Sequence, residues 1–276
     1  MKKLIELLKR LFGISNENEQ EPVVTGETVE SGETVDAAGP EIAGTTEPVI
    51  VEPVITEPVI VDPVEPEKKQ YKIHILLDNG HAKSTPGKRS PKLDNGSQFF
   101  EYEFNRDIVR RLAARLDKLG VPYDIVTPEV DEDISLRTRS QRANNLCKKY
   151  GTENCFFLSI HANAAGKGDR WMTARGFCCY TSKGETASDE YAEIFMREAE
   201  KELSKYGRTI RKWSQNKYSW EENFSVLVLT KCPAVLTENL FYDNKDEVKF
   251  LLSEEGREAV VQYHVDSILK IENLRR

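Results

Sequence analysis

From Tyr71 onward, short apolar runs alternate with longer segments of helical period, and that alternation leaves few folds open. YKIHILLD, VPYDIVT, CFFLSI, RGFCCYT and CPAVLTE read as strands, each short and apolar enough to be buried. Between them, FNRDIVRRLAARLDKLG brings Phe104, Ile108, Leu112, Leu116 and Leu119 to one helical face and stops at Gly120. SLRTRSQRANNLCKKYG is a helix begun by Ser135 and closed by Gly151. TASDEYAEIFMREAEKELSKYG and EEGREAVVQYHVDSILKIENL complete the helical set. Strands joined by crossover helices predict an α/β fold of three layers, α/β/α. Its central sheet is mainly parallel but mixed, has about six strands, and carries helices on both faces.

The first quarter of the chain has a different character. Residues 16–69 are dominated by Glu, Val, Thr and Pro, and EPVITEPVIVDPVEPE nearly repeats itself. Proline lacks an N–H and restricts the residue before it, while acid repulsion extends the rest, so this stretch reads as a disordered linker. Ahead of it, MKKLIELLKRLFGI sets Leu4, Ile5, Leu7, Leu8, Leu11 and Phe12 opposite Lys2, Lys3, Lys9 and Arg10. Residues 1–15 therefore read as an amphipathic helix suited to weak contact with a membrane surface. Glu6, Lys9 and Arg10 interrupt the apolar core that a cleavable signal peptide requires, so none is recognised. The expected organisation is an amphipathic helix over 1–15, a linker over 16–69 and a catalytic domain over 70–276. A net charge of −7 argues against a nucleic-acid-coating protein, which needs a basic surplus. Five cysteines, an odd number without a C-x-x-C pair, read as reduced thiols rather than a disulfide framework.

In open α/β sheets, ligands gather beyond the carboxyl ends of the strands. His81 follows the strand ending at Asp78, His161 follows CFFLSI, and Glu238 follows PAVLT, so all three project from one sheet edge. A carboxylate from FFEYEFNRDIV, at the start of the first long helix, would bring two imidazoles and an acid near one point. Such a set suits catalytic zinc, with a fourth position left for water and a second carboxylate to take that water's proton. His74, within a strand, and His264, on the last helix, read as structural. Spacing alone leaves His81 and His161 open between ligands and hydrogen-bonded caps.

The segment from about Tyr71 to Ile271 resembles the zinc-dependent N-acetylmuramoyl-L-alanine amidases of the amidase 3 type. ILLDNGH is similar to the family's D-x-G-H ligand motif, EYEFNRDIVRRL to its E-x-x-x-N helix, and SLRTRSQRANN to its L-x-x-R-x-x-x-A-N segment. FLSIHANA is similar to the S-I-H-A-N-A motif, and CPAVLTENLFYDN to the segment with the catalytic glutamate. The resemblance implies hydrolysis of the amide between the lactyl group of N-acetylmuramic acid and L-alanine, at the bacterial cell wall, with peptidoglycan as the partner. It implies one Zn²⁺ held by His81, Glu101 and His161, Glu238 as general base, and Asp78 and Asn163 orienting the ligands. Glu103 competes for the middle place. The family's Asn stands four residues after its ligand, which fits Glu101 and Asn105, and positions 101 and 103 lie about 200° apart on a helix. The competing role for Glu238 is an ion pair with Arg137 or Arg142.

The departures from the family pattern cluster after the first motif. Asn79 stands where the family has proline, and AKSTPGKRSP replaces a Gly-rich loop containing an Asp. Its Lys83, Lys88, Arg89 and Lys92 either face peptide-stem carboxylates or solvate the loop. Trp213, Tyr218 and Trp220, in an otherwise polar stretch, either contact sugar or stem peptide or cover the sheet edge. Lys83, Arg89, Trp213 and Trp220 are thus candidate substrate contacts. Two other readings of the chain are a zinc peptidase cutting within the stem and a non-catalytic wall-binding module.

Overall fold

The computed structural model describes residues 70–275; the stretches 1–15 and 16–69 lie outside the described residues. Four strands run parallel from one edge of the sheet inward: β2 (Tyr123–Ile125), β1 (His74–Asn79), β3 (Cys155–Asn163) and, near the chain's end, β6 (Ala234–Phe241). β4 (Cys178–Thr181) joins β6 antiparallel, and the two-residue β5 (Trp220–Glu221) extends that side, giving the order β2-β1-β3-β6-β4-β5. The helices are α1 (Glu101–Leu119), α2 (Leu136–Tyr150), α3 (Ala187–Ser204), α4 (Ser225–Leu229), α5 (Lys245–Leu252) and α6 (Glu254–Leu274). The mixed α/β sheet expected from the sequence is the one found.

Strand side chains alternate between two unequal layers, as the two-residue period of a pleated chain requires. Ile75, Leu77, Phe156, Leu158 and Ile160 enter the larger core, which α1, α3, α5 and α6 fill with residues such as Phe104, Ile108, Phe195, Val248 and Ile268. Leu76, Phe157 and Leu236 point the other way, against Ala143 and Cys147 of α2 and Val226 and Leu227 of α4. Each fully buried side chain of this size contributes roughly 1.5–3 kcal/mol, so the larger layer carries most of the stability.

Local chemistry sets the helix ends. The Ser135 hydroxyl accepts the Thr138 N–H at the start of α2, and Gly151 follows its last residue. Thr186 and Asp189 form a capping box on α3, satisfying two of the donors a helix start leaves open. α1 begins at Glu101, three residues before the apolar periodicity starts at Phe104. All five cysteines are buried and free, in line with reduced thiols.

The end of β1 is fastened to α2 by a buried ion pair. Arg139, 2% exposed, places Nη1 2.8 Å from Asp78 Oδ1 and donates to the carbonyls of Asn79 (2.6 Å) and Ile134 (2.8 Å). Asn79 uses the N–H that a proline would lack, donating it to Thr127 Oγ1 at 3.1 Å, and its side chain donates to the Thr127 carbonyl at 2.8 Å. Truncating one partner of a buried pair strands the other charge, at a cost of about 3–5 kcal/mol. Arg139→Ala is therefore expected to lose about that much stability in urea denaturation; a loss below about 1 kcal/mol would show that the pair does not hold this junction.

Candidate active site

The site starts from a close approach of two chains. β1 and β3 are paired through Asn79 and Ile160, and the next residue, Gly80, donates its N–H to the Ile160 carbonyl at 3.1 Å. A Cβ added to Gly80 would lie 2.3 Å from Cε1 of His161, so any larger residue would collide with that ring. His81 then takes a left-handed backbone (φ 61°), unusual for a residue with a side chain, and turns the chain as the strand ends. Its ring lies 4.9 Å from that of His161, nearly perpendicular to it.

Glu101 meets the two histidines from the first turn of α1. Its Oε1 lies 3.1 Å from His161 Nδ1 and 3.4 Å from His81 Nε2, and it accepts the Ala162 N–H at 3.2 Å. One ligand atom from each of His81, Glu101 and His161 can be chosen so that all lie within 4.8 Å of one another. Glu103 is exposed and accepts the Tyr102 hydroxyl at 2.9 Å, so Glu101 is the carboxylate that faces the histidines.

Electrostatics prepare this group for a cation. Burial pushes the His81 pKa down to about 3, leaving a neutral imidazole with a free lone pair. Burial also opposes charge on His161 and Glu101, but their mutual hydrogen bond overrides it, raising the histidine and lowering the carboxyl. Oε2 of Glu101 is buried and accepts no hydrogen bond; the Lys88 ammonium stands 3.9 Å away. A buried anionic oxygen that accepts no hydrogen bond, beside two imidazoles, is a donor set that fits a metal ion.

Glu238 lies across from His161 in the β3–β6 register. Its Oε2 is buried without a partner, and Arg142, a competing candidate for it, pairs instead with Glu129 at 2.8 Å. Burial raises the Glu238 pKa to about 7. That value suits a group that must both take and return a proton near neutrality.

Asp78 and Asn163, the two expected supporting residues, are placed differently. Asp78 reaches His161 through Ser159, whose hydroxyl donates to Asp78 Oδ2 (2.7 Å) and lies 3.2 Å from His161 Nε2. The Asn163 side chain does not turn to the ligands: Oδ1 accepts the Ala164 N–H at 2.8 Å and Nδ2 lies 3.5 Å from Cys178 Sγ. Two other amides hold the ligand segments. Asn105 donates to the Gly80 carbonyl (2.9 Å) and Asn239 to the His161 carbonyl (2.6 Å). Asn105 was visible as the last residue of E-x-x-x-N, whereas nothing in the sequence singled out Asn239.

A cleft of about 560 Å³ opens over this group. His81, His161 and Glu238 line it, and Ile134, Leu136, Phe224 and Val226, at or just before the starts of α2 and α4, give it an apolar wall. The four expected substrate contacts line no part of it. Lys83 is exposed, 4.0 Å from Asp131, and Arg89 sits in a short backbone bridge with Phe100. Trp213 borders a separate hollow, stacked edge-on against Trp220 at 5.0 Å, and Trp220 donates its indole N–H to the Arg211 carbonyl.

A mixed α/β sheet bearing a His–Glu–His group and an unpaired carboxylate at its strand ends has the layout of a hydrolase built around a metal. Residues 75–270 match the Amidase_3 family, N-acetylmuramoyl-L-alanine amidase, and the chain belongs to that family. Among relatives, it is 29% identical to the endolysin of Bacillus phage SPP1 over 73% of this chain and 67% of that one. It is 27% identical to the N-acetylmuramoyl-L-alanine amidase CwlM of Bacillus licheniformis, over 74% and 70% of the two chains. The crystal structure of an N-acetylmuramoyl-L-alanine amidase from Clostridium difficile 630 superposes with a TM-score of 0.59 at 25% identity, covering 73% of this chain and 97% of that one. The catalytic domain of CwlV from Bacillus (Paenibacillus) polymyxa shares the fold, with a TM-score of 0.57 at 24% identity over 72% and 97% of the chains.

The raised Glu238 pKa has a consequence for stability. A carboxyl that titrates near 7 when folded and near the ordinary 4.5 when unfolded holds its proton more tightly in the folded chain. Its contribution is complete below about pH 4.5 and is lost as pH rises through 7. Glu238→Gln, measured in chelator, should gain stability on the wild type between pH 5 and 8, reaching on the order of 1–3 kcal/mol. A difference in melting temperature that stays constant over this range would contradict the burial argument.

Proposed function

We propose that this N-acetylmuramoyl-L-alanine amidase is a zinc hydrolase in which His81, Glu101 and His161 hold the ion and Glu238 moves the protons. The observation that carries the reading is the buried Oε2 of Glu101, which accepts no hydrogen bond, beside two imidazoles, one of them held neutral by burial. When bound, zinc supplies Lewis-acid polarisation of the scissile carbonyl and lowers the pKa of water from about 15.7 toward roughly 7.

The chain's own residues do the rest. Glu238 accepts a proton from the attacking water and returns it to the nitrogen of L-alanine as the amide to the lactyl group breaks. Its raised pKa favours that return, since a weakly basic carboxylate would hold too little of the protonated form near neutrality. Ser159 and Asp78 fix the His161 ring: Nε2 faces the Ser159 hydroxyl, so Nδ1, beside Glu101, is the nitrogen that would hold the ion. Asn105 and Asn239 hold the backbone on which the two histidines sit. The apolar wall limits water near Glu238, which strengthens each polar interaction inside.

Peptidoglycan places the action of the enzyme at the cell wall. Within this proposal residues 1–15 give weak contact with a membrane surface, and residues 16–69 give the catalytic domain reach. Deleting residues 1–15 is then expected to move tagged protein out of the membrane fraction; identical soluble recovery with and without them would remove that role.

Proton transfer of this kind contributes ~10²–10⁴-fold, so Glu238→Ala should lose at least ~10² in kcat while keeping its zinc. His161→Ala should lose the metal itself, measured by elemental analysis. Mass spectrometry of digested peptidoglycan should find intact stem peptides with a free L-alanine amine and glycan without peptide. Cleavage inside the stem would overturn the assignment, as would near-wild-type activity of Glu238→Ala.

A further inference from the structure

Beside the apolar-walled cleft lies a second, polar hollow of about 310 Å³, and the two meet at Glu238 and Lys88. Gly87, Asn163, Lys167 and Tyr242 line the second hollow with them. Its character is cationic: it carries two lysines, and Glu238 is the one acid among its lining residues. Lys167 is exposed and makes no ion pair among the described residues. Lys83 and Arg89, the other bases of the same loop tested above, line neither hollow.

The backbone of Lys88 is pinned against the start of α1. It takes a left-handed backbone (φ 51°) directly after Gly87 (φ 74°), and its carbonyl accepts the Glu101 N–H at 2.9 Å. A side chain on such a backbone carries strain, which persists where surrounding contacts over-determine the turn. The turn aims the ammonium inward, 3.9 Å from Glu101 Oε2, while leaving the side chain 43% exposed. A cation at Glu101 would repel that ammonium, and the adjoining hollow is the space beside it.

A scissile amide whose nitrogen lies within reach of Glu238 must send its two substituents away in different directions. The two hollows share Glu238 and Lys88. One has an apolar wall; the other adds the ammonium of Lys167 to that of Lys88 and suits an anion. We infer that Lys88 reads the charge of the peptide residue after L-alanine, favouring stems in which that residue bears a free α-carboxylate over stems in which it is amidated. Lys167 adds a second, more exposed positive charge to the same hollow. The inference rests on the amidase reading and names the substrate feature that the site selects.

The test uses two disaccharide-tetrapeptides that differ only at the second residue, D-glutamate or D-isoglutamine, with zinc content measured for every variant. Wild-type enzyme should favour the acidic substrate, and Lys88→Met should cut the ratio of the two kcat/KM values by about tenfold or more, chiefly through KM. Lys88→Arg should restore most of the preference, and Lys167→Met should cost a few-fold. An unchanged ratio in Lys88→Met, or an equal fall on both substrates at normal zinc content, overturns the role of Lys88 while leaving the amidase intact. If zinc-loaded wild type releases no L-alanine-terminated peptide from either substrate, the amidase reading falls and this inference falls with it.

Discussion

The carboxylate of Asp78 fastens three otherwise separate parts of the chain to β1. Oδ1 lies 2.8 Å from Arg139 Nη1 and accepts the Thr127 hydroxyl at 2.8 Å, while Oδ2 accepts Ser159 at 2.7 Å. β1, the loop after β2, β3 and the first turns of α2 are therefore fixed relative to one another by one buried anion. Low dielectric makes such a cluster strong when complete and costly when any member is missing. Its reach extends to the chemistry, because the Ser159 hydroxyl that bonds Asp78 also faces Nε2 of His161. The same Arg139 stands in the lining of the main cleft beside Ser135 and Leu136, so the cleft wall and the histidine orientation share one anchor.

Backbone strain gathers at the same edge of the sheet. Among the described residues, the non-glycine positions with positive φ are His81, Lys88 and Leu240, and each borders the site or adjoins a residue that does. A left-handed residue with a side chain costs about 1–2 kcal/mol, a cost that packing elsewhere must offset. Leu240 marks a bulge: between the His161–Glu238 and Asn163–Phe241 pairs, β6 has two residues where β3 has one. Asn239, inside that bulge, donates to the His161 carbonyl and receives the buried Tyr263 hydroxyl of α6. The bulge thus couples the larger helical layer to the placement of His161 and Glu238 at once.

Much of this was legible in the sequence, and the misses have physical reasons. Ser135 and Gly151 bounded α2 correctly because capping is local chemistry. The parallel strands were visible as buried apolar runs, whereas the two-residue β5 and the five-residue α4 are too short to show a period. His81, Glu101, His161 and Glu238 converge because strand ends and the following helix start obey a general rule of α/β sheets. Asn163 was expected beside the ligands, but the bulge after His161 shifts register and turns its amide toward Cys178. Within KSTPGKRS, composition did not separate Lys83 or Arg89 from Lys88; the left-handed turn at Gly87 and Lys88 does. Trp213 and Trp220 belong to the far edge, a placement set by β4 and β5 that no local pattern encodes.

The unequal layers also divide labour between stability and recognition. The larger face carries Phe104, Phe156, Phe195, Tyr263 and their neighbours at near-zero exposure, and it can be left unchanged while the other face varies. The thinner face ends in α4 and the start of α2, where Leu136 and Val228 remain about half exposed. These residues add little to the core, since an exposed apolar side chain recovers only part of its transfer energy. Leu136 lines the cleft, which His81, His161 and Glu238 also line. Substitutions in that wall or in the loop carrying Lys88 alter the lining of the cleft, while the sheet, the Asp78 cluster and the His–Glu–His group rest on other contacts. A fold with its stability concentrated on one face leaves the other face free to specialise.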